Sequence, residues 1–204
     1  MNVPLSQPPL STPANGRSVA VFCGSRTGHD PALRVAASAL GTGLASRGIT
    51  LVYGGGRVGL MGAVADAAVA AGGRVIGVIP DFLRKREVAH EGITELHVTD
   101  SMHTRKRLMF DLSDAFVTMP GGFGTLDETI EVVTWAQLEQ HAKPVILCNV
   151  AGWAAALLAA LRMTVTQGFT SAESLGLFEV VADVPALLAR LETVGHQEAN
   201  ADRL

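Results

Sequence analysis

Ala115–Phe116–Val117–Thr118–Met119–Pro120–Gly121–Gly122–Phe123–Gly124–Thr125–Leu126–Asp127–Glu128 is the stretch whose reading decides the fold. Ala115–Met119 reads as a short strand buried on both faces. Leu126–Leu138 reads as a helix, with Ile130, Val133 and Leu138 among its apolar positions. A glycine-rich turn joins them. A strand, a glycine turn and a helix N-terminus form an anion site, because glycine lets the backbone approach a ligand and the first helical amides have no partner of their own. Asp127 and Glu128 fall on the first helical turn, and a carboxylate beside a phosphate-binding turn points to chemistry on a phosphorylated substrate.

The same grammar repeats on either side. Ser18–Cys23, Ile49–Tyr53, Val75–Ile79, Glu95–Val98, Pro144–Cys148 and Phe178–Val181 read as further strands. Helices fall between them: Asp30–Pro31 to Arg47, an alanine-rich run after Gly62 ending at Gly72–Gly73, Ser101–Leu112, Ala154–Val165 and Pro185–Val194. Asp81–Ile93 is charged and without periodicity, as expected of a loop holding a short helix. Strands alternating with helices predict an α/β fold, a Rossmann-like doubly wound parallel sheet in a single domain over 18–194. Residues 1–17, with four prolines, read as a disordered leader and 195–204 as a disordered tail. Ligands of such folds sit beyond the carboxyl ends of the strands. Ser25, Gly54–Gly56, Met102–Lys106 and Gly121–Glu128 all follow strands and so meet at one edge.

Composition sets the outer bounds. The chain has 204 residues, of which 48% are hydrophobic, enough for a core of its own. Sixteen basic residues against nineteen acidic argue against a broad nucleic-acid surface. No apolar run marks a signal peptide or a membrane span. Cys23 and Cys148 each end a strand and read as buried filler, which fits a cytoplasmic location. The six histidines show no metal-ligand spacing, so no metal is expected, and nothing calls for another cofactor.

Two motifs each carry two readings. Gly54–Gly55–Gly56–x–x–Gly59–x–x–Gly62 resembles a dinucleotide fingerprint, but the acidic residue expected at the end of the next strand is replaced by Val78–Ile79–Pro80. Close packing of helix on strand is the alternative; phosphate or ribose contact is preferred because a second glycine turn accompanies it. Thr125–x–x–Glu128 reads either as a capping box, with Thr125 as N-cap, or as part of a catalytic site. Arg105 and Lys106 read either as a solvated helix face or as site residues.

Taken together, Cys23–Gly24–Ser25, Tyr53–Gly54–Gly55–Gly56–x–Val58–Gly59–Leu60–Met61–Gly62, Met102–His103–x–Arg105–Lys106, Pro120–Gly121–Gly122–x–Gly124–Thr125–x–x–Glu128, Thr134–Trp135–Ala136–Gln137–Leu138 and Lys143–Pro144 closely resemble the LOG ("Lonely Guy") family of cytokinin riboside 5′-monophosphate phosphoribohydrolases. The resemblance spans Ser18 to Val194. It implies a homodimer that hydrolyses the N-glycosidic bond of adenosine-type 5′-monophosphates to free base and ribose 5-phosphate. It implies Arg105 and Glu128 as the catalytic pair and Gly121, Gly122, Gly124 and Thr125 as the phosphate cradle. Ser25, Gly55, Met102 and Lys106 are the further substrate contacts it points to. Thr104 stands where an acidic residue is common, and Arg26 where a small one is. Relatives often carry the label "lysine decarboxylase", which nothing here supports: the chain has only Lys85, Lys106 and Lys143 and no recognisable pyridoxal-phosphate site. The alternative function is a non-catalytic carrier of a nucleotide or of molybdenum cofactor on the same fold. An NAD-dependent oxidoreductase is disfavoured by the missing ribose carboxylate.

Overall fold

A computed structural model describes residues 16–201, with side chains through residue 193, so the expected leader over 1–15 and the last three residues lie outside it. Seven parallel strands form one sheet: β1 (Ser18–Phe22), β2 (Thr50–Tyr53), β3 (Val75–Pro80), β4 (Glu95–Thr99), β5 (Ala115–Thr118), β6 (Val145–Cys148) and β7 (Glu179–Val181). Their spatial order is β4-β3-β2-β1-β5-β6-β7. Six helices connect and cover them: α1 (Pro31–Ala45), α2 (Gly59–Ala70), α3 (Met102–Asp111), α4 (Phe123–Gln137), α5 (Ala155–Thr166) and α6 (Val184–Ala201). The last helix runs past Val194, so the segment expected to be a disordered tail is helical through Ala201.

The five central strands, β3, β2, β1, β5 and β6, are buried on both faces, and successive residues serve opposite cores. Val19, Val21, Leu51, Tyr53 and Ile146 pack beneath α1, α2 and α6. Ala20, Phe22, Val52, Phe116 and Leu147 pack beneath α3, α4 and α5. The chain winds from β1 out to the β4 edge, then returns through α3 to lay β5 beside β1. That reversal opens a crevice beyond the carboxyl ends of β1 and β5, where such folds place ligands. The two turns at the crevice are stitched together: Gly24 N–H donates to Pro120 O at 3.0 Å and Met119 N–H to Phe22 O at 2.9 Å.

The α1 start follows from its sequence. Asp30 caps it, accepting from Ala32 N–H at 2.8 Å, and Pro31 occupies the first turn. Its contact with α2 depends on Gly41, which is fully buried and lies so close to α2 that a Cβ there would collide with Val64 O and come within 2.9 Å of Ala68 N. Gly41→Ala therefore wedges two helices apart despite its better helix propensity. The expected loss is about 1–3 kcal/mol, the range for overpacked sites, read as a lower urea midpoint at unchanged slope.

Candidate active site

The glycine turn after β5 makes α4 longer than sequence suggests. The helix starts at Phe123, with Gly122 as N-cap and no side-chain cap. Thr125 therefore lies inside the first turn, and the capping-box reading of Thr125 and Glu128 is wrong. Both side chains face inward, with Thr125 3% and Glu128 8% exposed. Thr129 and Val132 complete the buried face, while Ile130 and Leu138, expected among the apolar positions, are exposed. Among the described residues, no backbone carbonyl outside the helix or side chain accepts from the N–H groups of Phe123, Gly124 or Thr125. Unpaired amides at a helix N-terminus are suited to an anion. Gly121 must be glycine, since a Cβ would collide with the Thr125 hydroxyl and approach Gly24 N at 2.9 Å. Trp153, which sequence reasoning leaves unremarked, donates from Nε1 to Gly121 O at 3.2 Å and fixes the turn from outside.

The second glycine turn has a different explanation. Leu60 and Met61 N–H both donate to Gly24 O, at 2.9 and 3.2 Å, so the N-terminus of α2 is already satisfied by protein. Gly59, at φ +69°, lies against the Ser25–Arg26 backbone, and a Cβ on Gly62 would strike Arg57 O. Gly55, at φ +75°, packs on Ile79 and Leu96 instead of lining the site. Close packing is thus the correct reading of most of this motif, and the preference for phosphate contact is not supported. Gly54 does reach the site: the Arg105 guanidinium occupies the space its Cβ would fill.

Arg105 arrives on α3, whose first turn is capped by Ser101 accepting from Thr104 N–H at 3.1 Å. Arg105 is only 5% exposed. Its Nη2 donates to Gly54 O at 3.3 Å, and its Nη1 donates to Met102 Sδ at 3.8 Å. Nη2 also stands 3.8 Å from Glu128 Oε1. A cavity of about 150 Å³ is bounded by these groups together with Ser25, Glu87, Gly122, Gly124 and Thr125. It shares Gly24, Ser25 and Gly122 with a larger cleft of about 390 Å³ that passes Arg26, Pro120 and Trp153. Of the residues expected in the site, Ser25, Met102, Arg105, Gly122, Gly124, Thr125 and Glu128 meet here, and Gly121 borders the adjoining cleft. Lys106 does not join them. Its Nζ pairs with Asp127 at 2.9 Å and Glu131 at 3.3 Å, which ties α3 to α4.

Burial pushes Glu128 up from an ordinary value of 4.5 to about 7. Arg105 pulls it down, Asp127 and Glu87 push it up, and Lys106 pulls it down. A carboxylate near 7 is suited to exchanging protons at neutral pH. Of the three lysines, Lys85 is exposed, Lys106 is paired as above, and Lys143 Nζ lies 4.1 Å from the Phe110 ring centroid. None lines the cavity, so no amine stands where a Schiff base would form. Among the described residues, no three His, Cys, Asp or Glu side chains are grouped to hold a metal ion, and no helix is long and apolar enough to cross a membrane.

The chain is thus a doubly wound α/β protein with unpaired helix N-terminal amides beside a buried Arg–Glu pair. The family model "Possible lysine decarboxylase" matches residues 61–191. The chain is 49% identical over 176 residues to the rice protein named "Probable cytokinin riboside 5'-monophosphate phosphoribohydrolase LOGL9", covering 86% of this chain and 78% of that one. It is 44% identical to the LOG1 phosphoribohydrolase of Arabidopsis thaliana, over 86% of this chain and 83% of the relative. It is 42% identical to the phosphoribohydrolase of Rhodococcoides fascians, over 87% and 90%. The chain belongs to this family, the LOG family of phosphoribohydrolases. Among solved structures, the molybdenum-cofactor carrier protein of Chlamydomonas reinhardtii superposes with a TM-score of 0.66 at 24% identity, covering 89% of this chain and 99% of the carrier, which shows the shared fold alone.

Because the folded-state value for Glu128 lies above its ordinary one, the folded protein holds the proton more tightly than the unfolded chain. The neutral carboxyl is fully tolerated below about pH 4.5, and stability declines as pH rises from there through about 7. Glu128→Gln removes this dependence. The variant is expected to match the wild-type urea midpoint at pH 5 and to exceed it at pH 8.

Proposed function

We propose that the protein hydrolyses the N-glycosidic bond of adenosine-type 5′-monophosphates, releasing the free base and ribose 5-phosphate. The observation that carries this reading is the Arg105–Glu128 pair at 3.8 Å, set about one turn along α4 from the free amides of Phe123, Gly124 and Thr125. A phosphate at those amides lies about 5–8 Å along the helix from Glu128, roughly the span of a ribose. The names of the relatives supply the class of nucleotide.

Cleavage builds positive charge on the sugar. Glu128, ionised, stabilises that charge and takes a proton from the attacking water. Arg105 stays protonated and positions phosphate or ribose through its donors while balancing Glu128. Thr125 and the glycine turn hold the phosphate, with Ser25 and Met102 on the facing wall. Lys106 acts at one remove, by fixing α3 against α4.

The outer side of α4 supports a homodimer. Phe123 is 92% and Ile130 38% exposed, two turns apart on one stripe, with Leu138 further along. A homodimer covering this stripe places a partner near the mouth of the site. Buried Cys23 and Cys148 are both free thiols, which fits a reducing cytoplasm.

Incubation with AMP and N6-isopentenyl-AMP, followed by chromatography, should show free base and ribose 5-phosphate. Binding without product would instead mark a carrier. The monophosphate should exceed its nucleoside in kcat/KM by about 10²-fold or more, since remote phosphate binding is realised in the transition state. Equal values would remove the anion site from the mechanism. Glu128→Gln should lower kcat by roughly 10²-fold or more while still binding AMP. Light scattering after size exclusion should give twice the chain mass, and a clean monomer would refute the covered stripe.

A further inference from the structure

The pair Arg105–Glu128 leaves half of the proton bookkeeping undone. When the bond from C1′ to the base nitrogen breaks, its electron pair stays on the base. A purine anion is a poor leaving group at neutral pH, so a proton must reach the ring as the bond breaks. Glu128 is committed to taking a proton from water, and a guanidinium does not give one up. Among the residues bounding the cavity, the remaining titratable groups are Cys23 and Glu87. Burial pushes the Cys23 thiol far up, and it forms part of the core beneath the sheet.

We propose that Glu87 is the acid that protonates the departing purine, an assignment that rests on the reading of the site as a nucleotide N-glycosidase. Glu87 stands in the charged loop between β3 and β4, across the cavity lining from α4. The loop is pinned at this point by backbone bonds. Arg57 N–H donates to Glu87 O at 3.2 Å and Val88 O at 2.8 Å, Glu87 N–H to Leu83 O at 2.8 Å, and His90 N–H to Gly55 O at 2.9 Å. Gly56 permits the approach, since its Cβ would sit 3.2 Å from Glu87 O and 3.3 Å from Glu87 Cβ. The Oε2 atom of Glu87 is buried and without a hydrogen-bond partner, and so is Nε of Arg105. A carboxyl that lines the cavity and keeps one oxygen without a protein partner is available to a ligand.

Its surroundings favour the acid form. Burial raises Glu87 above the ordinary carboxylate range, against the pull of Arg105 from α3 and of Arg86 beside it in the loop. Glu128 from α4 is the other carboxyl that lines the cavity, and Glu87 pushes it upward. Two carboxyls in one site that resist ionising together are the usual arrangement for one acid and one base. The step then balances. Glu87 gives its proton to a ring nitrogen of the base as the bond from C1′ to nitrogen breaks, the electron pair leaving with the base. Water oxygen bonds to C1′ and its proton passes to Glu128. Base and ribose 5-phosphate leave, and proton return from Glu128 to Glu87 through solvent resets the site.

The test compares leaving groups in the full chain. One substrate is AMP; the other is ribose 5-phosphate carrying 4-nitrophenoxide at C1′, which departs as a stable anion and needs no proton. Glu87→Gln should lower kcat for AMP by about 10²-fold or more and for the nitrophenyl substrate by less than about fivefold, the usual separation when an acid is removed. The near-normal second rate also shows the variant is folded. Independently of any variant, the wild-type kcat/KM for AMP should fall at alkaline pH, whereas that for the nitrophenyl substrate should not. Equal losses on both substrates, unimpaired AMP turnover in Glu87→Gln, or an alkaline fall shared by both substrates would overturn the assignment of Glu87 alone. A wild-type chain that turns over neither substrate would overturn the reading of the site and this assignment with it.

Discussion

Arg105 and Glu128 lie 3.8 Å apart with almost no access to solvent, and each is difficult to bury without the other. Taking two ions out of water costs several kcal/mol apiece, and their attraction offsets this only when further hydrogen bonds satisfy the remaining donors and acceptors. Here the offset is incomplete. The guanidinium finds Gly54 O and the Met102 sulfur, its Nε finds nothing, and the carboxyl is left near pH 7. The surrounding fold holds the pair in place regardless. The α3 cap at Ser101, the Lys106 bridge to Asp127 and Glu131, and the stitching of the β1 and β5 turns all fix the elements that carry it.

The two glycine turns show how one composition serves two purposes. After β5, glycine frees the α4 amides for an external anion. After β2, glycine clears space for protein: Gly54 for the guanidinium, Gly56 for the Glu87 backbone, Gly59 for the β1 turn. The deciding fact is where the first helical amides donate. Those of α2 end on Gly24 O, while those of α4 have no such acceptor among the described residues.

That distinction explains what was legible in the sequence. Strand runs such as Val75–Ile79 and Val145–Cys148 are buried on both faces, so their hydrophobicity announces them whatever their neighbours do. The site edge was legible for the same reason, since each loop that follows a parallel strand ends on it. The helix start at Phe123 was not, because Thr125 and Glu128 have capping-box spacing and only the backbone at Gly122 shows that the helix has already begun. Lys106 was misplaced because adjacent helical residues diverge by about 100°, and Arg105 alone takes the inward direction. Trp153 and Glu87 carry no local signal at all. Each reaches the site from a distant loop, and only the sheet order brings those loops together.

The electrostatics of the cavity set function against stability. Glu128 would be accommodated more easily as a neutral side chain, and a buried ion pair can often be replaced by apolar groups without loss. What an apolar floor lacks is a group that can lose a proton near pH 7. The core supplies the tolerance: the sheet and the helices packed on it hold a pair that would not persist on a surface loop. Glu87 extends this logic, because its carboxyl adds repulsion that raises Glu128 and is itself raised by burial. The imperfectly satisfied donors and acceptors of the site are those a nucleotide would meet.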